Sequence, residues 1–114
     1  MKINTNTKIK NLEGKEFTII KAGKEEKMTL GDVLFAALNS ATGIELKISW
    51  SLLPDLAQEN KEIILDEAKK EALSKALQQA AELPYTQRYN LVVYGRVLDL
   101  INGVEDGPKT KGKK

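Results

Sequence analysis

The sequence contains no cysteine and no histidine. Without thiols and imidazoles, disulfides, thiolate nucleophiles, Ser-His-Asp and Cys-His catalysis and the usual zinc sites are excluded. No apolar run approaches the roughly 18 residues of a membrane-spanning helix, and the first residues lack the apolar core of a signal peptide. The glycines fit no phosphate-binding loop. We therefore expect no membrane segment, no cofactor, no metal and no enzyme activity.

An excess of charge of one sign is also missing from most of the chain. Residues 1–104 carry 14 basic and 14 acidic side chains, and the net charge of +2 comes from the lysine-rich residues 105–114. Because nucleic-acid binding needs a clustered basic face, nucleic acid is an unlikely partner. We expect residues 105–114 to be a disordered tail that aids solubility or makes a weak contact with a polyanion.

The apolar pattern predicts an α+β fold that is mainly α-helical. A length of 114 residues suits one small domain, which we place at 1–104. Alternation of apolar and polar residues in 3–9 and again in 16–20 predicts an N-terminal β-hairpin over 3–20. Helical periodicity then predicts three to four packed helices, of which three have clear bounds: 30–41, 66–83 and 86–102.

Capping residues and small side chains support two of these helices. Thr29 can cap the first helix, with Asp32 at the third helical position and Gly43 placed after its end. Asp66 can cap the second, and Thr86 the third. The second helix carries an alanine-rich inner stripe, which predicts close packing against another helix: Ala72, Leu73, Ala76, Leu77 and Ala80.

Residues 44–53 fit either a strand or a helix. Ile44, Leu46, Ile48 and Trp50 alternate with polar residues, as in a half-buried strand. The same segment also forms two helical stripes, and this favours a helix slightly. Pro54 should end this element or begin the next, and 60–65 looks like a loop.

Five residues near the C-terminus could form a binding site. The cluster holds both arginines and three of the six aromatic residues of the chain: Tyr85, Arg88, Tyr89, Tyr94 and Arg96. Tyr85, Tyr89, Val92 and Arg96 have the spacing of one helical stripe. Such residues can complete a core and form local salt bridges with Glu82 or Asp99, build a protein interface, or bind an anionic ligand such as a nucleotide.

Trp50 is the only tryptophan of the chain. Burial in the core would by itself account for a tryptophan at this position, whereas an exposed Trp50 would mark an interface.

Two segments resemble small phage and prophage accessory proteins of unknown function. The resemblance is carried by the run MTLGDVLFAAL (28–38) and by the pattern V-x-G-x-V-x-x-L at 93–100, within a span of about residues 10 to 104. Pro54 and the lysine-rich end depart from that pattern. The resemblance implies a phage origin and a location in the cytoplasm of the infected bacterium, and it implies no catalytic residues.

Two classes of function follow for such a protein. One is a non-catalytic binding protein that antagonises a host defence system, either by binding a host protein or by sequestering a nucleotide signal. The other is an assembly or scaffolding factor that acts through oligomeric helical surfaces. The alanine-rich stripe and Gly95 also predict a homo-oligomer formed through the two C-terminal helices.

Overall fold

The computed structural model describes residues 1–103, which fold as four helices beside two small sheets. In chain order the elements are strands β1 (Lys2–Asn4), β2 (Thr18–Lys21) and β3 (Lys24–Lys27), helices α1 (Leu30–Ser40) and α2 (Leu46–Leu56), strand β4 (Glu62–Ile64), helix α3 (Glu67–Ala81), a 3-10 turn (Tyr85–Gln87) and helix α4 (Leu91–Ile101). The predicted α+β, mainly helical fold class is confirmed. The residues of the predicted tail lie outside the described part of the chain.

Helices α1 and α3 form the centre of the core, since each packs against the other three helices. The predicted N-terminal cap of α1 is confirmed: Thr29 Oγ1 accepts from the Asp32 amide, and the Asp32 carboxylate accepts from the Thr29 amide at 3.0 Å. The next amides, of Leu30 and Gly31, donate to carbonyls of the 5–7 segment. The first turn of α1 is therefore fixed by both local and long-range hydrogen bonds.

Residues 46–56 form a helix, so the segment that was ambiguous in sequence is helical. The expectation that Pro54 ends or begins an element is wrong, because α2 continues through Pro54 to Leu56. Pro54 is exposed, and the buried Leu52 and Leu56 hold the last turn against the core. As proline has no N–H, the carbonyl of Trp50 receives no helical hydrogen bond at this position.

The strand pairing differs from the hairpin predicted over 3–20. Strand β1 pairs with β4, which sets Ile3 opposite Ile63, and both are buried. Strand β2 pairs instead with β3, through a turn in which Ala22 and Gly23 both have positive φ. Between residues 9 and 17 the predicted hairpin leaves a short paired turn, with an isolated bridge from Lys10 to Glu16 and backbone hydrogen bonds from the Asn11 amide to the Lys15 carbonyl and from the Phe17 amide to the Ile9 carbonyl.

The reason lies in long-range burial. Pairing β1 with β4 covers Ile3 and Ile63 together, which no local turn could do. Strand β3 reads KEEK, without any apolar alternation, and therefore carries no strand signal in the sequence. Strand β4 lies in the segment expected to be a loop.

The C-terminal helices also depart in part from the prediction. Helix α3 begins after the Asp66 cap as expected, and its buried residues are those of the predicted inner stripe. Helix α4 is shorter than 86–102, because its cap is Asn90 and not Thr86. The Tyr89 amide donates to the Tyr94 hydroxyl, 3.0 Å away, and Arg88 is extended, so a helix cannot start earlier.

No helix within residues 1–103 is long and apolar enough to cross a lipid bilayer.

Candidate binding site

The structure separates the six predicted site residues into four places. Arg88, Tyr89 and Tyr94 line one cavity. Tyr85 lies in the 3-10 turn with 80% of its surface exposed, so the predicted single stripe from Tyr85 to Arg96 is wrong. Arg96 contacts the N-terminal segment, and Trp50 projects from α2. The sequence cluster is therefore not one site.

Tyr89 and Tyr94 form the aromatic wall of the cavity. Their ring centroids are 6.1 Å apart, with the planes tilted by 37°. Tyr94 is buried, and its hydroxyl accepts from the Tyr89 amide. Partial burial raises the pKa of the Tyr89 phenol, and the negative charge of Asp32 acts in the same direction. Tyr89 therefore stays a neutral hydrogen-bond donor at neutral pH.

Arg88 is held in place by backbone carbonyls. Its Nε donates to the Leu83 carbonyl at 2.8 Å, and its Nη1 donates to the Tyr89 carbonyl at 3.0 Å. The expected salt bridge to Glu82 is absent, and no other carboxylate within residues 1–103 forms an ion pair with Arg88. These two bonds attach the side chain to the segment that joins α3 to α4. The other N–H groups of the guanidinium are not used by them.

The cavity beside Arg88 has a volume of about 370 Å³. Helix α1 supplies Val33, Ala36, Ala37 and Ser40 to its walls, and Ala80 and Leu83 come from α3 and the residues just after it. Small side chains on both helices leave this space open. A second groove of about 400 Å³ continues from it along Ala37, Ser40, Ala80 and Leu83 toward Thr42, Gln79 and Glu82.

Arg96 has a structural role that its sequence neighbourhood did not show. Its Nε and Nη2 donate to the carbonyls of Lys10 and Asn11, 3.2 and 3.0 Å away. These bonds tie the turn between 10 and 16 to α4, more than 80 residues further along the chain. Arg96 lies outside the Arg88 cavity.

Helix α2 presents an apolar outer face, which we call the α2 ridge: Leu46, Trp50 and Pro54. Leu46 and Trp50 are 78% and 68% exposed, and Pro54 is also exposed. The spacing i, i+4, i+8 aligns the three side chains along one side of the helix. The opposite side of α2 buries Leu52 and Leu56 in the core, so the helix is apolar on both faces.

Two ridge residues were not singled out in sequence, although a signal for them existed. The segment carries two apolar stripes at helical spacing, and a short surface helix buries only one stripe in its own core. The other stripe had to remain exposed. Which stripe faces outward depends on the packing of α2 against α1 and α3.

A polar cleft of about 540 Å³ lies between the β2–β3 hairpin, the start of α1 and the end of α2. Lys21 and Asp32 form an ion pair across it at 2.8 Å. The hydrogen bond to Asp32 raises the pKa of Lys21, and burial opposes this shift. Three glutamates and two further lysines also line the cleft, so charges of both signs are mixed along its walls: Lys8, Lys27, Glu25, Glu26 and Glu59. Within residues 1–103 no group of acidic side chains could hold a metal ion.

Comparison with models of protein families, with curated proteins and with solved structures finds no match to this chain.

Proposed function

We propose that this chain is a non-catalytic binding protein that docks on another protein through the α2 ridge. The observation that carries the proposal is the exposure of Leu46 and Trp50 on a helix whose opposite face already forms the core. A surface helix of a monomer normally carries charged or polar residues on its outer side. The outer side of α2 instead offers three apolar side chains, with Lys47 and Ser51 beside them.

The ridge has the form of a helix that binds in a groove. Anchors spaced by about four residues are how an amphipathic helix fills an apolar groove on its partner. Trp50 would be the central anchor, because tryptophan buries a large area and is enriched among the residues that dominate binding energy.

The resemblance to phage accessory proteins supports a cellular location and a type of partner for this binding activity. A phage protein without catalytic residues would act in the host cytoplasm by occupying a surface of a host protein, and a defence protein is the target we propose. Sequestration of a nucleotide has weaker support, because Arg88 is the one cation among the described residues lining its cavity. The charge of a polyphosphate would not be balanced there.

The assembly-factor alternative would use the same ridge to join copies of the chain. The homo-oligomer through α3 and α4 remains a prediction, and the two sequence features that suggested it give it little support in the structure. The alanine-rich stripe of α3 is buried inside the chain, and no described atom lies within 4 Å of a Cβ placed on Gly95.

Site-specific photo-crosslinking in bacterial cells tests the proposal. A photoreactive phenylalanine analogue is placed at position 46 or 54 on the α2 ridge and, as matched controls, at 71 or 78 on the outer face of α3. We expect a light-dependent adduct of discrete mass from 46 and 54 and none from 71 and 78. Trp50→Ala should reduce the adduct from position 46 by at least about tenfold, as expected for a central anchor.

The identity of the adduct separates the candidate functions. A single bacterial protein joined to the chain supports the proposal. Adducts that contain only a second copy of the chain support the assembly-factor alternative. Equal crosslinking from both helices, or none from the ridge, contradicts docking through α2.

A further inference from the structure

The Arg88 cavity contains a guanidinium with no anionic partner. Arg88 is partly buried, and two of its five N–H groups donate to the Leu83 and Tyr89 carbonyls. The Nη2 group donates to no residue in the described part of the chain. A partly buried charge without a counter-ion is unfavourable unless something completes its hydrogen bonds.

The two carbonyl contacts also orient the guanidinium before any ligand arrives. They fix the plane of the group against the chain segment that joins α3 to α4. An arginine fixed in this way loses less conformational entropy on binding than a mobile one. The remaining N–H groups suit the two oxygens of a carboxylate.

The walls of the cavity determine the rest of the ligand. Val33, Ala36, Ala37, Ala80 and Leu83 form an apolar surface, to which the two tyrosine rings add. Ser40, Thr86 and Gln87 supply neutral polar groups at its margin.

We propose that the Arg88 cavity binds a small organic monocarboxylate with a compact apolar or aromatic body. The carboxylate pairs with Arg88, and the body lies against the alanines of α1 and α3. A single cation with no lysine beside it matches one negative charge. Glu82 lines the adjoining groove and disfavours a second negative charge there. This site is separate from the α2 ridge, and the proposal does not depend on docking through that ridge.

The test is a titration of the full chain, labelled with nitrogen-15, by phenylacetate, with phenylacetamide as the uncharged analogue. We expect saturable shifts of the backbone amides around 36–40 and 86–89 with phenylacetate. Phenylacetamide should bind at least about tenfold more weakly, because the charge-assisted hydrogen bonds to Arg88 are lost.

Two variants locate the site. Ala36→Leu fills part of the cavity and leaves the Arg88 side chain itself unaltered, and Ala68→Leu makes the same change at an exposed position on α3. The first should weaken phenylacetate at least about tenfold, and the second should leave its affinity unchanged. Arg88→Gln should weaken it as much as Ala36→Leu does.

Several outcomes would overturn the proposal. These are equal binding of the acid and the amide, an Ala36→Leu variant that titrates like the unaltered chain, or no saturable shift at all. The amide spectrum of Ala36→Leu without ligand shows whether that variant is folded, so the result does not depend on Arg88→Gln alone.

Discussion

Helices α2 and α3 bury similar apolar inner faces, but their outer faces differ in polarity. Each helix buries leucines in the common core, Leu52 and Leu56 from α2 and Leu73 and Leu77 from α3. The outer face of α3 carries exposed charged and polar side chains: Glu67, Glu71, Lys75 and Gln78. The outer face of α2 is the apolar ridge.

The difference shows which part of α2 the fold requires. Both helices are held by their inner faces, so a polar outer face would serve the fold of α2 as well as it serves α3. The charged side of α3 also assists the fold locally, because Lys75 donates to the Gly43 carbonyl and Gln79 bonds both backbone groups of Thr42. The α2 ridge makes no such contribution, which is why we assign it to a partner.

The largest expected effect is the difference in the free energy of unfolding between variants of the inner and the outer faces of α2 and α3. Leu52→Ala and Leu73→Ala should each lower the free energy of unfolding by about 2–5 kcal/mol, because both side chains are fully buried. Trp50→Ala should cost about 1 kcal/mol or less, and Glu71→Ala about 0.5 kcal/mol or less. Urea denaturation measures all four variants.

This experiment can break the comparison. If Trp50→Ala destabilises the chain as strongly as Leu52→Ala, the α2 ridge belongs to the fold and not to a partner surface.

A pair of glycines gives a smaller and more local effect. A Cβ at Gly31 would lie 2.9 Å from the Leu56 carbonyl oxygen and from Thr5 Cβ, whereas nothing lies within 4 Å at Gly95. Gly31→Ala should therefore lower stability by about 1–3 kcal/mol through crowding where α1 meets α2. Gly95→Ala should raise it by about 0.5–1 kcal/mol through helix propensity.

Thermal denaturation combined with native mass measurement checks both substitutions. A Gly95→Ala variant that loses stability, or changes from an oligomer to a monomer, would mean that another copy approaches α4 closely. That result would support the predicted oligomer through the C-terminal helices.

The smallest effect concerns surface charge. The partly exposed Lys70 and the exposed Glu67 form an ion pair of 3.7 Å on α3, and Lys70→Met should change stability by about 0.5 kcal/mol or less. Lys21 has a raised pKa, so the folded state holds this proton more tightly than the unfolded state. The stabilisation from Lys21 is complete below its ordinary pKa of 10.5 and is lost as the pH rises through the higher folded value.

Urea denaturation between about pH 8 and pH 11 measures the contribution of Lys21. The stability difference between the unaltered chain and Lys21→Met should shrink at the alkaline end of the series. A difference that stays constant with pH would show that Lys21 acts through packing and not through its pair with Asp32.

The two arginines show how far local sequence could predict the candidate site. Arg88 and Arg96 are eight residues apart, and both belonged to the predicted cluster. The Tyr94 hydroxyl instead accepts from the Tyr89 amide, so α4 begins after Arg88. Arg96 lies within α4 and donates to the carbonyls of residues 10 and 11. Periodicity could not reveal either fact, because both depend on contacts between elements.

The sequence by itself determined the features that arise within one or two helical turns. These include the Thr29–Asp32 cap and the inner stripe of α3, since each rests on side chains that meet at i+3 or i+4. Tertiary structure alone decided the β1–β4 pairing, the outward stripe of α2 and the separation of the arginines. Those outcomes depend on which distant surfaces bury the most apolar area together, and no local pattern contains that information.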